Sequence, residues 1–96
     1  MLTIEKIKQE VQPIAQKYNV KKVDLFGSYA DGTQTENSDA DFLVEFVVAV
    51  PSIFKVMGMK AELEKTLNTV VDVVTVPLAK PDKILIERVV TVYEKR

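Results

Sequence analysis

At 96 residues, 47% of them apolar and 28% charged, the chain has room for one small domain, residues 1–96, with a single modest core. Thirteen basic against fourteen acidic side chains leave a net charge of -1, which disfavours holding nucleic acid by charge alone. With neither Cys nor His, the chain excludes disulfides, thiolate and imidazole metal sites and His-based triads, so acid–base chemistry falls to carboxylates, Lys or Tyr.

Ile4, Ile7, Val11, Ile14 and Tyr18 step by three and four and form one face of a helix, with Thr3 as N-cap and Asn19 as stop. Pro13 falls inside that pattern and predicts a kink or split, because it lacks an N–H and crowds the preceding turn. Residues 23–26 read as a short strand cut off by Gly27-Ser28, and residues 29–37 are small, polar turn formers. Residues 39–46 are a second strand of strong β propensity. A helix over 52–68 follows, its stripe being Ile53, Val56, Met57, Lys60, Leu63 and Leu67; Gly58 within it costs about 1 kcal/mol against Ala. Residues 70–76 are a third strand and 77–81 a linker, and 82–94 read as a closing helix that turns Leu85, Val89, Val92 and Tyr93 inward.

This order predicts an α/β (α+β) fold: a small mixed β-sheet of three or more strands, with helices packed on one face and the other face partly open. The longest apolar run, 46–51, falls far short of the ~18 residues of a membrane span. The first six residues lack the charged-then-apolar layout of a signal peptide, so a cytoplasmic protein with no membrane contact is expected.

Asp39 and Asp41 stand at i and i+2 of the second strand, so their carboxylates leave the same face, roughly 6–7 Å apart, while Ala40, Phe42, Val44 and Phe46 take the other. Two acids on one face repel each other, and a divalent cation between their oxygens relieves this. Mg²⁺ prefers such hard ligands and keeps waters that phosphate oxygens can replace. Asp72 interrupts an otherwise apolar strand, an expensive position unless it is paired or exposed at a site. If the third strand neighbours the second, Asp72 joins the other two, and three carboxylates hold two metal ions for an in-line displacement at phosphorus. Taken singly, the Asp-x-Asp pair also reads as a polar strand edge and Asp72 as a guard against edge aggregation. Asp24, Asp31, Glu36 and Glu45 read as solvated surface.

The apolar strand ending in Gly27-Ser28 allows a close backbone approach and a hydroxyl for phosphate oxygens. The string Gly27-Ser28-Tyr29-Ala30-Asp31-Gly32, followed by Ser38-Asp39-Ala40-Asp41-Phe42-Leu43-Val44, resembles the polymerase-beta-type nucleotidyltransferase superfamily, and most of all its minimal nucleotidyltransferases, the MNT antitoxins of HEPN/MNT toxin–antitoxin pairs. The resemblance spans essentially the whole chain, including residues 71–75. It implies a nucleotidyltransferase-like fold in which Gly27 and Ser28 contact the β/γ-phosphates of a nucleoside triphosphate. Asp39 and Asp41 would ligate two Mg²⁺ ions; Asp72 would ligate the one nearer the acceptor and act as base or orient the acceptor hydroxyl. It also implies a function: Mg-dependent transfer of AMP from ATP to a hydroxyl, a tyrosine, of a partner HEPN toxin. One position departs from the pattern, Asp31 where such families commonly carry Arg, and Lys21, Lys22, Lys55 and Lys60 are candidates to compensate.

The alternative is a catalytically weak or inactive antitoxin that neutralises its partner by binding. The apolar-rich stretch of Phe46, Val47, Val48, Ala49, Val50, Ile53, Phe54, Val56, Met57 and Met59 reads equally as core or as a docking patch. A nucleic-acid-terminal transferase is disfavoured by the charge balance. Because so short a chain leaves no acceptor-binding domain, a partner protein or a second copy is expected to complete the site.

Overall fold

A computed structural model describes residues 3–27, 39–48, 51–76 and 89–95. Its elements run α1 (Ile4–Lys17), β1 (Val20–Phe26), β2 (Ala40–Phe46), α2 (Ile53–Leu67), β3 (Val71–Val76) and β4 (Val89–Glu94). Residues 28–38, 49–50 and 77–88, and with them Ser28, Asp31, Glu36, the expected linker and Leu85 of the expected closing helix, lie outside the described residues.

Helix α1 starts as the sequence dictates: Thr3 is extended, and its hydroxyl accepts from the Lys6 N–H at 3.1 Å. The helix runs through Pro13 without a split. Gln9 and Pro13 are both exposed, so the carbonyl that loses its partner four residues back faces water. Asn19, at φ 56°, makes the left-handed exit. Ile7, Val11, Ile14 and Ala15 form the buried face.

The sheet order is β3-β2-β1-β4. The β1–β2 and β1–β4 pairs are antiparallel, whereas β2 and β3 are parallel and joined through α2, so the sheet is mixed. Both helices pack on one face, α1 against β1, β4 and α2, and α2 against β3. Between them and the sheet lie Val20, Val23, Leu25, Ala40, Phe42, Val44, Val71, Met59 and Leu63, all essentially sealed from solvent. Each large side chain among these contributes roughly 1.5–3 kcal/mol by leaving water.

Three elements differ from the sequence reading. Strand β1 begins at Val20, three residues early: Lys21 sits at a register shift between Val20 and Lys22, which keeps Val20 on the core side. Helix α2 buries Met59, Leu63 and Leu67 with Val56 half-buried, while Ile53 and Met57 are exposed, so its inward face is rotated from the expected stripe. Gly58 in that helix leaves room for a ring, since a Cβ there would lie 3.1 Å from the Tyr18 hydroxyl.

The closing segment is the largest correction. Val89–Glu94 is an edge strand paired with β1, not the end of a helix. Four of its six residues are β-branched, and they favour extended backbone. Val92 is buried, and Val90 and Tyr93 pack beside the core.

Candidate active site

Strand β2 alternates as expected: Ala40, Phe42, Val44 and Phe46 are buried on the helix side, and Asp41, Leu43 and Glu45 take the opposite face. Asp39 stands exposed just before the strand. The Ala40 N–H donates to the Val70 carbonyl at 2.9 Å, which ties the start of β2 to the start of β3. From there the parallel register pairs Asp41 directly with Asp72. Residues paired across a ladder share a face, so the carboxylate of Asp72 comes to that of Asp41 without any loop having to deliver it.

The electrostatics match the geometry. The Asp41 carboxyl is pushed above its ordinary range, first by burial, then by the negative charges of Asp72 and Asp39, and further by a hydrogen bond with Asp72. Among the described residues, no Lys or Arg forms an ion pair with any of the three. Nor do three acidic side chains yet surround one point among those residues; Asp41 and Asp72 touch, and Asp39 acts on Asp41 through its charge. An unneutralised cluster of hard oxygen donors, one of them half-buried, fits a divalent cation such as Mg²⁺ by the chemistry of its donor set.

Gly27 closes the site from the end of β1. Its φ is +77°, in the left-handed region, and a Cβ there would fall well under 3.0 Å from Asp41 Oδ2. Its neighbour Phe26 is the register partner of Asp41. The glycine backbone therefore rests against the carboxylate, as no other residue could at that position. Ser28, the second residue of the expected phosphate turn, lies outside the described residues.

Sequence reading missed two supporting groups. Glu64 on α2 accepts from the Val71 N–H at 3.1 Å and so fixes the backbone beside Asp72. Asp24, expected to be solvated, is 8% exposed; it accepts from the Thr91 hydroxyl at 2.7 Å and lies 3.7 Å from the Lys22 ammonium. No local signal marks that burial, because Thr91 is 67 positions away. Glu45 pairs with Lys21 at 3.2 Å, and Lys55 lies over the Phe46 ring. Lys21 and Lys22, at the start of β1, are five to six residues, or roughly 17–20 Å along the strand, from Gly27, while Asp31 lies outside the described residues.

The nucleotidyltransferase domain family matches residues 4–92. A Methanocaldococcus jannaschii relative, named "Putative protein adenylyltransferase MJ0435", is 44% identical over 92 residues, which cover 92% of this chain and 97% of that protein. Protein adenylyltransferase MntA of Thermococcus cleftensis is 35% identical over 78 residues, 77% of this chain and 78% of that protein. Among solved structures, a tri-AMPylated Shewanella oneidensis HEPN toxin in complex with MNT antitoxin contains the same fold at TM-score 0.71 and 13% identity. The match covers 97% of this chain and 74% of that one.

Proposed function

Because this chain belongs to the nucleotidyltransferase domain family, and its relatives are MNT-type protein adenylyltransferases, we propose that it transfers AMP from ATP to a hydroxyl, a tyrosine, of a partner HEPN toxin and so acts as an antitoxin. The observation that carries this reading is the side-by-side pairing of Asp41 and Asp72, with Asp39 two residues away and the Gly27 backbone against Asp41. A partner supplies the acceptor, as in the toxin–antitoxin complex of the same fold. The setting is cytoplasmic; among the described residues no helix is long and apolar enough to cross a membrane.

Each of these residues has a part in this mechanism. Asp39, Asp41 and Asp72 would hold Mg²⁺ through their carboxylate oxygens. When bound, Mg²⁺ neutralises the phosphate oxygens and the charge that develops on them. Gly27, with Ser28, offers backbone N–H groups to the β/γ-phosphates, because its missing side chain lets a phosphate approach the main chain. Asp72 accepts the proton of the incoming hydroxyl. The oxygen–phosphorus bond forms at the α-phosphorus, the bond to the β-phosphate oxygen breaks, and pyrophosphate departs. Burial and the charges of Asp72 and Asp39 press Asp41 toward its protonated form, and a cation held there would favour the ionised carboxylate.

The binding-only alternative leaves the Gly27–Asp41 approach without a purpose, since a glycine backbone set against a carboxylate does nothing for docking. The test is incubation of a HEPN-type toxin with the chain, ATP and Mg²⁺. A mass gain in multiples of AMP is expected, and it is lost with Asp72→Asn. An unmodified partner held in a tight complex overturns the transfer reading.

A further inference from the structure

The end of the molecule away from the carboxylates exposes five large apolar side chains. Val47 and Val48 leave β2 at 48% and 46% exposure, and Ile53, Phe54 and Met57 open α2 at 64%, 82% and 61%. Ile53 and Met57 are one helical turn apart, and Phe54 sits three residues before Met57, so the three are contiguous on the helix surface. The sheet core does not need them, because Val56, Met59, Leu63 and Leu67 already supply the inward face of α2.

Size and charge together restrict what can cover this patch. Five side chains at these exposures offer on the order of 600 Å², less than the ~800 Å² per partner in a stable interface. Two copies meeting patch to patch would bury roughly 1,200 Å² in all, only the low edge of the stable range. They would also bring like charges together. The first turn of α2 holds no acidic residue, half-buried Lys55 stands next to Phe54 with its ammonium over the Phe46 ring, and the helix N-terminus is itself a positive pole. The nearby acids Glu45 and Glu62 are already paired, with Lys21 and Lys17. The complementary surface is therefore apolar with a rim of carboxylates.

We propose that Val47, Val48, Ile53, Phe54 and Met57 form the docking surface for the toxin that receives AMP, engaging an apolar segment flanked by acidic side chains on that toxin. The identity of the partner rests on the function proposed above; the surface and its chemistry do not. Val47 lies six residues along β2 from Asp41, about 20 Å. Docking at one end of the strand and transfer at the other are thus separable, and a single partner large enough to span that length can engage both.

The experiment uses the full chain and a HEPN-type toxin, measuring complex formation by sedimentation and modification by intact mass. Phe54→Asp is expected to weaken the complex about tenfold or more and slow AMP transfer accordingly. Its melting temperature and its response to ATP with Mg²⁺ should match the wild type, because the side chain is exposed. Lys55→Glu weakens the complex less, through its salt-sensitive part. Undiminished complex formation by Phe54→Asp overturns the proposal, as does a wild-type homodimer that this substitution dissolves. A Phe54-dependent complex without mass gain would instead leave the docking surface standing and remove the transferase reading.

Discussion

The two ends of β2 differ in what they leave unsatisfied. At its start, Asp41 meets Asp72 and Gly27 under the charge of Asp39, and the unmet demand is electrostatic: like charges crowded together with no ion pair from Lys or Arg among the described residues. At its far end, Val47 and Val48 lead toward Ile53, Phe54 and Met57, and the unmet demand is hydrophobic. The strand between them is ordinary, with alternate residues buried against the helices. Both ends are costly to the isolated chain, and the proposed chemistry and docking each relieve one of them.

The sharpest way to separate the ends is chemical. Asp41→Asn should reduce AMP transfer by ~10²–10³ or more, as expected when charge stabilisation at the reacting phosphate is lost. The same variant should fold as well as the wild type without metal. A transfer rate within a few-fold of wild type would remove the acidic end from the chemistry.

Gly27→Ala should harm both folding and activity. The added Cβ needs positive φ, at roughly 1–2 kcal/mol, and also displaces the Asp41 carboxylate. A lowered melting temperature together with lost transfer is expected. If stability falls and transfer persists, the glycine serves the turn and not the site. Thr91→Val tests the neighbouring scaffold: it strips the partner from buried Asp24 at a cost of about 1–3 kcal/mol, read by denaturant unfolding.

The smallest effect is the pH dependence of the metal-free protein. The folded-state value of Asp41 lies above its ordinary 3.8, so between the two values the native state binds more protons than the unfolded chain. Stability from this group is therefore lost as pH rises through that window. Asp41→Asn should melt at or above the wild type at neutral pH, and the difference should vanish below about pH 3.8. A variant that melts lower at neutral pH would make Asp41 a structural residue.

The acidic end was readable because its signals are local or depend on simple rules. Asp39 and Asp41 at period two share a face by geometry alone, and Asp72 stands out in a run of valines. What joined them, the β2–β3 register, followed from the parallel connection through α2. The closing strand was not readable in the same way. Val89, Val92 and Tyr93 match helical spacing as well as an extended run, and the choice is made by the free edge of β1, which lies far away in sequence. Helix phase misled similarly: Met57 and Met59 are equally apolar, and only the sheet decides that Met59 turns inward. The exposure of Phe54 was open for the same reason, since core and docking surface share one composition.

The most direct measurement is a titration of Mn²⁺ into the chain with a non-hydrolysable ATP analogue, counting bound ions by electron paramagnetic resonance. The account predicts about two ions per chain, as a displacement clamped between two metals requires, and their loss in Asp41→Asn and Asp72→Asn. Equal binding by the wild type and both variants would contradict it.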